Sequence, residues 1–451
     1  MNRYLKIYMI PFTALMFCLV LPHISPAAQF VKDKRGFSAE TKHEFPAKKG
    51  GELRLSHITG DVFVDSWDAD KILVIEKMRM DVFTEEEAAR VYERYKLEFE
   101  ESGNILKGYG PSGFRDYINV DYYVTFPRTY KGEIKTSGGD FEIKDLKGDY
   151  QFSTSGGDIS MNKCAGVFMC ATSGGDLELR ETKGKLTART SGGDIICIRC
   201  GDDLDLTTSG GDLDLRELSG ILSGITSGGD IDLSMFEGSC RIKTSGGDIY
   251  LRNIKSQREL NAETSGGDIE VVNIEGDISV KTSGGSIQIQ EVKGCVSAKT
   301  SGGDIEVLKV NGHIIAVTAG GDIEAETNEG YIEASTSGGD VTAVILKFNP
   351  KADQHVKLSS SGGDINLTLP ADFKGRVDAV LRIQGGVFEE YNIYSDFPLK
   401  IEKSSAESGG ARSKYKSYRY SDEITASGDI NGGGNSIEIE TTNGNIRIKK
   451  R

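Results

Sequence analysis

The chain has 451 residues, a formal charge of −14, 56 glycines and 9 prolines. An acidic chain of this kind is repelled by phosphate backbones and anionic lipid, which argues against direct nucleic-acid binding. Abundant Gly with 8% aromatic residues suits a β architecture with Gly turns better than a helical one.

Arg3 and Lys6 precede an apolar run from Ile7 to Leu21, and Ser25, Ala27 and Ala28 follow. That order of charge, apolar stretch and small residues is a secretory signal peptide over residues 1–28, cleaved near Ala27 or Ala28. The run is about 15 residues and broken by Pro11, whereas a membrane span needs roughly 20. Bulky Phe17 before Cys18 speaks against a lipid anchor. Losing Arg3 and Lys6 takes the charge from −14 to −16. The expected product is exported, to the periplasm, cell surface or medium, with no transmembrane helix.

Residues 29–131 read as an N-terminal cap. Strands are expected at Glu52–Leu55, Asp61–Asp65 and Leu73–Met80, then a helix over Thr84–Tyr95. Thr84 and Glu87 form its capping box, and Ala88, Val91, Tyr92 and Tyr95 its apolar stripe. Ile118, Val120, Tyr122, Val124 and Phe126 then alternate up to Pro127.

From Thr136 the motif Thr-Ser-Gly-Gly-Asp recurs. Its Asp falls at Asp140, Asp158, Asp176, Asp194, Asp212, Asp230 and Asp248, each 18 residues from the last, then at Asp268, Ser286, Asp304, Asp322, Asp340 and Asp364. Two extra residues precede Asp268 and six precede Asp364, all in the half of the repeat away from the motif. Apolar residues alternate after each motif, as in Ile159 and Met161 or Leu177 and Leu179. A second alternating run, such as Leu186, Ala188 and Thr190, ends on the motif Thr. Period-two alternation means strands with one buried face. One such unit cannot bury its face alone; stacked units can. The sequence therefore predicts an all-β fold, a parallel β-solenoid with two strands per 18-residue coil over residues 132–369. Twelve intervals at roughly 4.8 Å make a rod about 58 Å long. Gly is expected at both turns, for positive φ and close backbone approach. Residues 370–451 read as a C-terminal β cap, with degenerate repeats at Ser427-Gly428-Asp429-Ile430 and Thr442-Asn443-Gly444-Asn445-Ile446 and a mobile loop at about 404–420. The caps cover parallel sheet edges that would otherwise invite aggregation.

Several short pieces, in order, resemble a known family. They are Phe45-Pro46 with Gly50-Gly51-Glu52-Leu53, Thr59-Gly60-Asp61-Val62 with Trp67-Asp68, and Val124-Thr125-Phe126-Pro127 leading into the first Thr-Ser-Gly-Gly-Asp. Ser395-Asp396-Phe397-Pro398-Leu399 and Thr442-Asn443-Gly444-Asn445-Ile446-Arg447-Ile448 complete the set. From about residue 44 onward the chain resembles the bacterial "putative adhesin" β-strand-repeat domain family of unknown function. The resemblance implies an envelope or secreted β-solenoid and carries no catalytic residues. Some relatives take part in envelope-stress signalling or bind membrane-active peptides. This chain has more, and more regular, repeats than the family pattern.

The Asp column is the sharpest chemical feature. Neighbouring carboxylates about 4.8 Å apart repel by roughly 1 kcal/mol in bulk water. One expectation is a ladder of Ca²⁺ ions on Asp140, Asp158, Asp176, Asp194, Asp212, Asp230 and Asp248, since Ca²⁺ takes carboxylate and carbonyl oxygens. Against it, the second turn lacks an acidic partner, with Lys147-Gly148 and Lys293-Gly294 typical. The alternative is that each Asp accepts backbone N–H bonds within its own turn, shielded by Lys144, Arg180, Arg216 and Arg252.

Cys164 and Cys200 share a register position two coils apart, roughly 9.6 Å, beyond disulfide reach; Cys170 and Cys197 are likewise two coils apart. Cys197 and Cys200 form a Cys-x-x-Cys, but in a strand and its turn, where buried hydrophobes are the better reading. No disulfide is expected, and Cys240 and Cys295 fall under the same expectation. His57, His313 and His355 have no ligand-spaced neighbours, and no Ser sits in a nucleophile elbow. The expected function is a non-catalytic binding or structural module for envelope polymers, proteins or cationic peptides. A calcium-stabilised repeat protein and a polysaccharide-cleaving β-helix enzyme are the alternatives.

Overall fold

A computed structural model describes residues 29–111, 118–384, 391–406 and 421–451. The expected signal peptide lies outside them, as do residues 407–420 of the expected loop.

The described chain is nearly all β, with one helix. From Thr136 to Asp364 it winds as a parallel β-solenoid with two strands per coil. The strand after each motif Asp pairs in register with its equivalent 18 residues on: Ile159 with Leu177, and Leu177 with Ile195. The strand ending at the motif Thr does the same, Leu186 facing Leu204. In the coils after Asp212 and Asp230 the two strands merge into Leu213–Ile225 and Ile231–Lys243. The inserted residues are confined to single corners. Gly238 still faces Ser256, 18 on, while Arg241 faces Asn261, 20 on. The six extra residues shift the register from 18 to 24 between Thr327↔Ile345 and Ile332↔Val356.

Parity decides the core. Ile159, Met161, Phe168 and Cys170 of one coil are buried, and the next coils stack Leu177, Leu179, Leu186 and Ala188 on them. The motif Thr is buried in every coil from Thr136 to Thr336. Its hydroxyl does two jobs. Thr226 Oγ1 donates to Gly211 O of the previous coil (2.8 Å) and accepts from Gly229 N–H in its own turn (3.3 Å). The same pair of bonds recurs at Thr154, Thr172, Thr190, Thr208 and Thr244. This is why a polar residue stands in an otherwise apolar file.

The turns correct one expectation. At the motif turn the Gly residues do not have left-handed φ; the second Gly is required by space alone. A Cβ on Gly229 would lie 2.1 Å from Gly211 O, whereas one on Gly228 meets nothing closer than 3.4 Å. At the other corner the left-handed residue is often not Gly: Asp145, Lys163, Glu181, Arg199, Glu217 and Met235 all have φ of 51–56°. Gly follows three residues later, as at Gly148 (φ 141°) and Gly166 (φ 142°).

The solenoid register runs beyond both predicted boundaries. Val62–Trp67 pairs in parallel with the strand after Asp140, and Glu52–Ile58 with Thr129–Thr136. Lys71–Met80, antiparallel to Ile118–Pro127, and Gly36–Pro46, antiparallel to Lys71–Met80, extend that face. The helix Glu85–Tyr95 starts at Thr84, whose Oγ1 accepts the Glu87 N–H (3.2 Å). The Glu87 carboxylate reaches Phe83 N–H rather than Thr84. Ala88, Tyr92 and Tyr95 are buried, and the Tyr92 hydroxyl meets Thr41 Oγ1 at 2.6 Å.

At the other end Asn435–Thr442 and Ile446–Lys450 add two more parallel strands. Gly375–Gln384, Ser421–Ile430 and Lys400–Ala406 follow outward. Ser427-Gly428-Asp429-Ile430 is therefore not a repeat turn: it lies inside an antiparallel strand. Residues 404–406 of the expected loop also belong to a strand.

Candidate binding ridge

Each motif Asp sits at the edge of the rod, and the next coil's Asp stands directly over it. Asp158 N–H donates to Asp140 Oδ1 (2.9 Å), Asp176 N–H to Asp158 Oδ1 (2.8 Å), and Asp194 N–H to Asp176 Oδ1 (2.8 Å). Asp212, Asp230 and Asp248 repeat the bond at 2.7–2.8 Å. The expectation of bonds within a single turn is thus corrected: the acceptor serves the following coil. A carboxylate fixed by an N–H loses less to repulsion, because part of its charge is answered by a peptide dipole. The file starts at Asp61, which accepts from Asp140 N–H at 3.0 Å, and passes Ser286 unbroken, whose Oγ accepts from Asp304 N–H at 3.2 Å.

The basic residues do not shield this file. Lys144 and Arg180 pair with Glu142 and Glu178 on their own strands. Arg216 pairs with Asp214 (2.6 Å), and Arg252 reaches Asp232 (3.2 Å). All four acids stand two residues after a motif Asp. In the coils of Asp268, Ser286, Asp304, Asp322 and Asp340 the basic position holds Val272, Gln290, Leu308, Glu326 and Val344 instead. Among the described residues no base compensates the ridge there. An open groove of about 450 Å³ runs along it, lined by Asp304, Glu306, Asp322, Glu324 and Asp340 among others.

The opposite corner shows that coil stacking can neutralise itself. Glu181 meets Arg199 (3.0 Å), Glu275 meets Lys293 (2.7 Å) and Glu291 meets Lys309 (3.0 Å), each pair 18 residues apart. The Lys293 hydrogen bond holds the Glu275 carboxyl below its ordinary range. Identical geometry on the motif side carries acids, interrupted at Ser286.

For Ca²⁺ the ridge offers little. The ion takes six to eight oxygens, and each motif Asp has already committed one oxygen to a backbone N–H. Among the described residues no group of three or more His, Cys, Asp or Glu is arranged to hold a metal ion.

The six described cysteines are free thiols, all buried except half-buried Cys295. Burial pushes the Cys164 thiol up to about 11 and Cys240 to about 12. Cys197 and Cys200 lie side by side; a mutual hydrogen bond raises Cys197 and lowers Cys200. The histidines are less isolated than their spacing implied. His313, Tyr331 and His355 stack as one file, with ring centroids 3.9 and 4.4 Å apart. His355 Nδ1 lies 3.0 Å from Asp353 and Nε2 lies 3.2 Å from Glu333. Asp353, two residues before His355, was the only sequence signal for this; Glu333 is brought in by coil stacking.

The family comparison bears directly on this rod. Residues 97–291 match the family model described as Toastrack DUF4097. Over those residues the chain is similar to the Toastrack family. The resemblance read from the sequence therefore stands. No curated protein matches the chain. Among solved structures, one titled a "putative cell adhesion protein" from Clostridium sporogenes is 9% identical over 91% of this chain and 100% of that one, with a TM-score of 0.17. A "putative adhesin" from Parabacteroides merdae is 12% identical over 73% and 95%, TM-score 0.19. A "Putative lipid binding protein" from Parabacteroides distasonis is 12% identical over 73% and 96%, TM-score 0.16. Scores this low carry no argument about what this chain binds. No helix among its described residues is long and apolar enough to cross a membrane.

Proposed function

We propose that this chain is a non-catalytic binding rod, exported from the cytoplasm, whose acidic ridge takes cationic partners such as basic peptides or amine-bearing envelope polymers. One observation carries the reading. The ridge carboxylates are held in file by backbone N–H groups, yet from Asp304 to Asp340 no base among the described residues answers them on the same face. Fixed like charges at coil spacing concentrate counter-ions along the groove.

The supporting test is oligolysine binding to the mature chain across a salt series. Affinity should fall steeply with added salt. Replacing Glu306, Glu324 and Glu326 by Gln should weaken binding about tenfold with no change in melting temperature. Failure to bind, or binding indifferent to both salt and these substitutions, overturns the reading. Export is checked by N-terminal sequencing of the secreted protein, which should begin at Ala28 or Gln29. The non-catalytic part is checked by incubating the rod with acidic polysaccharides, where any sustained bond cleavage contradicts it.

A further inference from the structure

One corner of the solenoid carries two thiols that face each other. The corner turns on a left-handed residue, here Arg199 with φ 54°. The turn brings the third and sixth residues after the motif Asp to one inward-facing spot. Leu179 and Thr182 fill that spot in the coil before, and Leu215 and Leu218 in the coil after, all of them buried. In the coil of Asp194 the two positions hold Cys197 and Cys200, 0% and 2% exposed.

The two thiols share a hydrogen bond. Cys200 Sγ also lies 3.5 Å from Leu179 O and 3.5 Å from Ile198 O, so it is seated against the strand that carries Cys197 and that strand's partner one coil back. Coil spacing keeps the other described thiols away. Cys164 occupies the same file as Cys200 but two coils back, with Thr182 between them. Cys170 lies on the opposite strand, Ala165–Ala171. Cys240 and Cys295 follow two and five coils on. Spacing between coils forbids those pairs as disulfides. It places no bar on two cysteines within one corner.

We propose that Cys197 and Cys200 form a redox-modification site, closed to a disulfide by peroxide. Peroxide is the class of oxidant small enough to enter a buried corner. Cys200 attacks first, because the shared hydrogen bond lowers its pKa while raising that of Cys197. Its sulfur gives up a proton and breaks the O–O bond, becoming a sulfenic acid, and the departing hydroxide takes a proton and leaves as water. The Cys197 sulfur then attacks the Cys200 sulfur, and its proton leaves with the sulfenic hydroxyl as a second water. Two thiols and one peroxide thus give one disulfide and two waters. The consequence is protection of the core. A lone oxidised thiol here would pass on to sulfinic and sulfonic acids, setting a charge between Leu179 and Leu215, the register partners of Cys197. The disulfide keeps the spot apolar. The inference is independent of what the acidic ridge binds.

Peptide mapping of the native mature chain after hydrogen peroxide tests this. The treated chain is quenched, unfolded in an alkylating agent and cut with trypsin, which cleaves after Arg199 and so separates the two cysteines. The expected product joins Thr190–Arg199 to Cys200–Arg216 through one disulfide, with two of the six described thiols lost to alkylation. The link should form about tenfold faster than Cys170 or Cys240 is oxidised. Cys197→Ser should leave Cys200 to become a sulfinic acid, whereas Cys164→Ser should leave the link unchanged; melting curves show that both variants are folded, and the wild-type map decides the matter without them. Full alkylation of Cys197 and Cys200 after peroxide, a link from Cys200 to Cys164, or over-oxidation of Cys200 in the wild type would each overturn the proposal.

Discussion

Asp364 Oδ1 accepts the backbone N–H of Asn445, 81 residues later, at 2.7 Å. The bond is the same one that Asp340 makes to Asp364, although the chain between has left the solenoid, built four other strands and returned. Arg447 adds a contact to Asp364 Oδ2 at 2.6 Å. Burial raises the Asp364 carboxyl, but Asn445 and Arg447 outweigh it and hold it below its ordinary range. The ladder is thus a device for stacking coils that works regardless of how far apart they lie in sequence.

If the carboxyl oxygen matters as an acceptor and its charge does not, Asp212→Asn and Asp212→Ala should part company. Asn keeps a carbonyl for Asp230 N–H and removes one repulsive neighbour, so thermal melting should hold or rise slightly. Ala removes the acceptor and should cost about 1–2 kcal/mol. Equal losses in both would contradict the ladder.

The two motif glycines should differ sharply. Gly229→Ala places a Cβ 2.1 Å from the Gly211 carbonyl oxygen, which only a backbone shift can relieve, and should cost about 3 kcal/mol or more. Gly228→Ala meets nothing closer than 3.4 Å and should cost less than about 1 kcal/mol. Denaturant melts of the two variants decide it.

Stability near the C-terminal coils should depend on mild acid. Burial lowers the His355 pKa, but hydrogen bonds donated to the Asp353 and Glu333 carboxylates outweigh it and leave the group above its ordinary value. A group raised on folding contributes fully below its unfolded value, near 6.5, and the contribution is lost as pH rises through the folded value. His355→Gln should therefore lower the melting temperature at about pH 5.5 and matter less at about pH 8.5. A pH-independent difference would count against the pairing of His355 with Asp353 and Glu333.

Calcium should make no difference. With one oxygen of each motif Asp bound to an N–H, chelator should leave the melting midpoint unchanged; a drop on adding chelator would restore the cation ladder.

Much of this was legible because stacking turns sequence period into spatial file. The 18-residue step set the register, and the parity of Ile159, Met161, Leu186 and Ala188 set the core. What could not be read was anything decided between coils. The acceptor role of Asp158 toward Asp176 has no local signature, nor has the pairing of Arg180 with Glu178 in place of Asp176. The left-handed corner at Lys163 and Arg199 was hidden because stacking imposes that φ on residues that do not favour it. Ser427-Gly428-Asp429 misled for the opposite reason. Thr425 and Gly428 even keep the motif spacing before Asp429, but the segment pairs antiparallel with Gly375–Gln384 and runs straight where a coil would turn.

The stacking itself is tested most directly by pulsed electron spin resonance between labels on exposed motif serines. Ser155 and Ser245 stand five coils apart, and Ser155 and Ser301 eight. At about 4.8 Å per coil the account expects backbone separations near 24 and 38 Å, rising linearly with coil number. Separations that fail to grow with coil number, as in windows folded back into sandwiches, would contradict it.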